Sequence, residues 1–79
     1  MSYSKVLNYI ARASGYRQWA AIELLERIMD RPFEDAETAI EEFILEMTVY
    51  AHYGKGEKRS LIFKNAAEVG EELLLLFEE

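Results

Sequence analysis

The chain has 79 residues with no cysteine, one proline, and fifteen acidic against nine basic side chains, for a formal net charge of −6. Its 51% hydrophobic and 30% charged residues are those of one globular domain spanning 1–79; a chain this short cannot build two cores, and its many aromatic and aliphatic residues exclude disorder. Disulfide frameworks and cysteine zinc sites are excluded, no apolar run approaches the roughly 20 residues of a bilayer span, and Met1–Lys5 lacks the pattern of a secretory signal, so a reduced, cytoplasmic setting is expected.

Punctuation falls at Ser14-Gly15, Arg31-Pro32 and Gly54-Lys55-Gly56. Before the first break, Tyr3, Val6, Leu7, Ile10 and Ala13 keep the spacing of one helix face. Ser2 or Ser4 can cap this helix, and Gly15 can turn left-handed beyond its end. The second helix, Tyr16 to Met29, gathers Ala21, Ile22, Leu24, Leu25, Ile28 and Met29 on a wide apolar face. Tyr16 and Trp19 fall among the charges of its other side. Pro32 ends it near Arg31.

The third helix starts at Asp35 as N-cap, with Glu37 in its positive first turn. Its core stripe is Ala36, Ala39, Ile40, Phe43, Ile44, Met47, Tyr50 and Ala51, and it carries the helix on to Tyr53. Leu45 and Val49 make the second half apolar on another side as well. Asn65-Ala66-Ala67-Glu68 fits a capping box, which would start the last apolar stripe, Ala66, Val69, Leu73, Leu74, Leu76 and Phe77. Ser60 is the earlier start once helix three runs through Tyr53. Gly70 lies on the apolar stripe at a cost of about 1 kcal/mol against Ala, which points to the close approach of a neighbouring helix.

The expectation is a mainly α, compact single domain of about four helices. A short β-hairpin over 48–63 is the alternative, since both flanks of the Gly54–Gly56 turn are rich in strand formers. With that hairpin the element order would be that of a winged-helix domain, though no sequence motif supports the comparison.

Chemistry is scarce in this sequence. His52 is the single histidine and there is no thiol, so neither a histidine metal pair nor a cysteine nucleophile can form. No serine lies in a nucleophile elbow, and the Gly54–Ser60 stretch lacks phosphate-loop spacing. The carboxylate pairs Glu37–Glu41 and Glu42–Glu46 read as solvated helix faces. We therefore expect no enzymatic activity, cofactor or metal.

Charge is distributed in blocks. Residues 34–53 hold six acids and no base, and residues 54–64 hold four bases and one acid. Four aromatics, Tyr9, Tyr16, Trp19 and Tyr53, lie off the core stripes, and Trp and Tyr are frequent binding anchors. The leading expectation is a small acidic protein-binding module, an adaptor or inhibitor that docks on a larger protein. By size and charge alone it is of the kind that phages and mobile elements carry. Tyr16, Arg17, Trp19 and Tyr53, together with the acidic Glu37, Glu41, Glu42 and Glu46, are its candidate contact residues, with Arg12 at the rim. Leu45, Val49 and Leu75 are the off-stripe apolar residues suited to a homodimer. One alternative is a nucleic-acid mimic that offers the carboxylates of the last two helices to a DNA-binding protein. A second is a winged-helix regulator that uses Lys55, Lys58, Arg59 and Lys64, against which the acidic third helix counts.

Overall fold

Each apolar stripe becomes one helix. The computed structural model describes residues 3–78 and contains α1 (Ser4–Arg12), α2 (Gly15–Met29), a short 3-10 turn (Phe33–Asp35), α3 (Ala36–Tyr53) and α4 (Glu57–Glu78), with no strand among the described residues. No helix in that range is long and apolar enough to cross a membrane. The mainly α expectation holds.

The hairpin alternative is overturned, and with it the wing of a winged-helix domain. Residues 48–53 stay in α3, and α4 is already helical at Glu57, eight residues before the expected capping box and three before Ser60. β-Propensity is weak against tertiary packing: Phe63 lies against Tyr50 with ring centroids 5.3 Å apart. Asn65 sits inside the helix, and Ser60 has a different task. Its Oγ donates to the Ala51 carbonyl at 2.7 Å, satisfying one of the orphan acceptors at the end of α3.

The C-terminal ends of α1 and α4 are closed in a similar way. Gln18 donates to the Ile10 carbonyl at 3.0 Å, near the end of α1. Lys5 donates to the Leu76 carbonyl at 3.3 Å, placing a cation at the negative end of α4. Gly15 does take the left-handed backbone, with φ of 61°. Asp35 is the N-cap residue of α3, but its side chain makes no capping hydrogen bond; the preceding 3-10 turn leads the chain into the helix instead. Tyr3 is the N-cap residue of α1, also without a side-chain cap, and Ser2 lies outside the described residues.

The helices share one core. Val6, Leu24, Ile28, Ile40, Phe43, Val69 and Leu73 are its largest fully buried side chains, and six buried alanines let the backbones approach. Phe33 of the 3-10 turn packs between Tyr3 and Phe77 and closes one end. Leu7, Ile22, Met29 and Tyr50 lie on expected core stripes but are exposed, because four helices are too few to cover the edges of such wide faces.

α3 and α4 run antiparallel and form the most extensive contact of the bundle. At Gly70 α4 lies hard against α3: a Cβ built there would lie 2.6 Å from Ile44 Cγ1 and 3.3 Å from Phe43 Cδ1. Gly70→Ala should therefore destabilise the fold by about 1–2 kcal/mol in urea unfolding, although Ala is the better helix former. Combining it with Ile44→Ala should cost less than the sum of the two single changes.

Candidate functional site

α2 runs antiparallel to α3, and the cross-links between them consume much of the expected binding face. Arg27 grips Glu46 with two hydrogen bonds, 2.7 and 3.0 Å, while its guanidinium lies 5.2 Å from the centre of the Phe43 ring. Arg31 pairs with Glu42. On the other flank Arg17 reaches α4, 2.7 Å from Glu72 and 3.7 Å from Glu68, and the Tyr9 hydroxyl donates to the same Glu72. Burial and the Glu72 hydrogen bond push the Tyr9 hydroxyl up. Arg17, Glu42 and Glu46 are thus engaged within the chain, and so is Tyr9. Glu37 and Glu41 stay solvent-accessible near the opposite end of α3, beside Phe33 and Phe77.

The remaining off-stripe aromatics come together. Tyr16 and Trp19 at the start of α2 face Arg59, Ile62 and Phe63 of α4 across a groove of about 640 Å³. A second hollow shares Arg59 and Phe63 with this groove and is lined on its other side by Tyr50, Tyr53, Gly54 and Lys55 at the end of α3. Trp19 is 41% exposed and Tyr53 is 77% exposed, while Tyr16 is half exposed. The Tyr50 hydroxyl hydrogen-bonds to Glu46, which pushes Tyr50 up and ties the groove wall to the Arg27 clamp. Local sequence places Tyr16 and Trp19 one turn apart on the polar side of α2. The helical start of α4 at Glu57 brings Ile62 and Phe63 opposite them.

Three lining residues, Tyr50, Ile62 and Phe63, escape the sequence-level site. Tyr50 looks like core on the wheel, and Ile62 and Phe63 look like strand. The available signal was the spacing Arg59, Ile62, Phe63, Ala66, which continues the α4 stripe backward.

Among the described residues no group of three or more His, Cys, Asp or Glu side chains could hold a metal, and no charged or polar side chain is buried. His52 lies in the last turn of α3, edge-on to Tyr53. Arg27 holds Glu46 below the ordinary carboxylate range, the opposite of what a general acid needs. Leu45, Val49 and Leu75 are all exposed, Leu45 at 67% and Leu75 at 65%. No known protein family, no curated protein and no solved structure matches the chain.

Three predictions test this geometry. Because the pKa of Glu46 is depressed in the folded state, its ion pair stabilises fully above the unfolded-state value and is lost as pH falls through the folded one. Glu46→Gln should therefore lower the urea midpoint near pH 7 and flatten the acid limb of the stability profile, so that variant and wild type converge toward about pH 3. Trp19→Ala should lower unfolding stability by only about 1 kcal/mol, with an unchanged denaturant slope, because much of the ring is already in water. Phe43→Ala, at the centre of the core, should cost about 3–5 kcal/mol in the same assay.

Proposed function

We propose that the chain is a small, non-enzymatic protein-binding module that docks on a larger protein through the groove between the start of α2 and the α3–α4 turn. One observation carries this reading: Tyr16 and Trp19, and beside them Tyr50 and Tyr53, line two adjoining hollows that no side chain among the described residues fills. Exposed rings of this kind bring large contact area at little conformational cost, and clusters of them are where interface energy concentrates. Tyr50 is held by Phe63 and by the Arg27–Glu46–Tyr50 chain, so that part of the surface is preorganised.

Nucleic-acid mimicry has less support. Of the carboxylates of the last two helices that it would use, Glu42 and Glu46 are already neutralised by Arg31 and Arg27, and Glu68 and Glu72 face Arg17, which leaves Glu37 and Glu41 on α3 and Glu71 and Glu78 in the second half of α4. A winged-helix regulator loses its wing, and its four cations sit on the turn and the first half of α4.

Affinity capture from the native host, read by mass spectrometry, separates these readings. A groove-docked protein should be retained by the wild type, survive about 0.5 M salt, and be lost with Tyr16→Ala or Trp19→Ala, which remove hot-spot area of about 2 kcal/mol or more. Retention that ignores those changes but disappears with Glu37→Gln and Glu41→Gln, or in salt, would replace the proposal with mimicry.

A further inference from the structure

The groove has a charge of its own, opposite to that of the protein. Arg59 lines both halves, Lys55 lines the second, and Lys58 is one residue from Arg59 in the exposed first turn of α4. The arginines of the first half that cross-link the bundle, Arg17, Arg27 and Arg31, are all ion-paired. Lys55, Lys58 and Arg59 are in no ion pair among the described residues. This is notable in a chain with fifteen acidic side chains, enough to neutralise every cation it has.

The position of these cations does not help α4. Lys58 and Arg59 occupy the first turn, at the positive end of the helix dipole, where a cation lowers helix stability and an acid raises it. Packing does not require their charge either, since both are exposed. What they do is place positive charge at the apolar and aromatic walls, which Arg59 itself lines, and next to them.

Resting on the reading of the groove as the docking surface, we infer that its occupant is a short acidic peptide segment of the partner, with an apolar or aromatic anchor flanked by Asp or Glu. The anchor lies between Trp19 and Phe63, and the flanking carboxylates meet Arg59 and Lys55, with the charge of Lys58 close by. Arginine suits this role because its planar fork matches a carboxylate with two hydrogen bonds. A nucleic acid would also find rings to stack on and cations to meet. It would need a basic track along its backbone, however, and this rim is three side chains long, on a protein of net charge −6. Acidic partners are also steered to this end, because the carboxylate-rich start of α3 lies at the far end of that helix.

The test is selection from a displayed library of random peptides on the intact chain. Three proteins are compared: wild type, a groove variant (Trp19→Ala with Tyr53→Ala), and a rim variant (Lys55→Glu, Lys58→Glu and Arg59→Glu). Circular dichroism checks that each is folded, and Lys55→Gln with Arg59→Gln serves as the milder rim change. The wild type should enrich peptides with an apolar or aromatic anchor and an excess of Asp and Glu. The best of these peptides should change Trp19 fluorescence and bind the rim variant at least about tenfold more weakly, since three exposed charge contacts are reversed. An anchor-rich pool without acidic excess, or equal binding to the rim variant, overturns the acidic occupant and leaves the docking groove standing. No enrichment above that of the groove variant overturns both. A single-stranded oligothymidylate that shifts Trp19 fluorescence and binds more tightly than the peptides overturns the peptide in favour of nucleic acid.

Discussion

The contact at Gly70 sets the geometry on which the rest of the structure depends. With no side chain at this position, α4 settles against Ile44 and Phe43 of α3. A larger residue would push the two longest helices apart along their whole interface, because a packed core transmits displacement rather than absorbing it. The register established there carries toward the turn between the two helices. It places Phe63 on Tyr50 and brings the Ser60 hydroxyl to the Ala51 carbonyl. The wall of the aromatic groove is therefore a consequence of helix packing some distance from it.

Charge follows the same frame. Arg17, Arg27 and Arg31 each reach from α2, or just beyond its end, to a neighbouring helix, and the carboxylates they meet are Glu72, Glu46 and Glu42. Such partly exposed pairs each contribute on the order of 1 kcal/mol or less, so their main effect is to orient helices rather than to hold the fold. They also sort the surface. Three arginines are paired between helices, while Lys55, Lys58 and Arg59, in no ion pair among the described residues, lie together at the α3–α4 turn. The carboxylates Glu34, Asp35, Glu37 and Glu41 lie toward the start of α3, some 25 Å away by helix length. A protein that is acidic overall thus presents a basic rim beside its most aromatic surface.

Much of the architecture was legible in the sequence because amphipathic helices are written locally. The spacing of Val6, Ile10, Leu24, Ile28, Ile40, Phe43, Leu73 and Phe77 marks four stripes, and those residues are buried or packed on the core. Gly15 and Gly70 were readable for the same reason, since each is a residue type whose backbone or size meets a local need. The start of α4 was misread because Ile62 and Phe63 favour strands in isolation, and only contact with Tyr50 and the start of α2 makes them helical.

The candidate site was legible only in part. Tyr16, Trp19 and Tyr53 stood out by lying off the stripes, but nothing local distinguished them from Tyr9, which is drawn into the network of Glu72 and Arg17. Arg17 and Glu72 are 55 positions apart, and no periodicity couples residues at that distance. The sequence by itself determined the helices, their inward faces and the overall acidity, because these follow from neighbours within a turn or two. Tertiary structure alone decided which charges are neutralised, which aromatics meet across a groove and which cations remain at its rim. Those outcomes depend on the register between helices, which emerges only when the whole core packs at once.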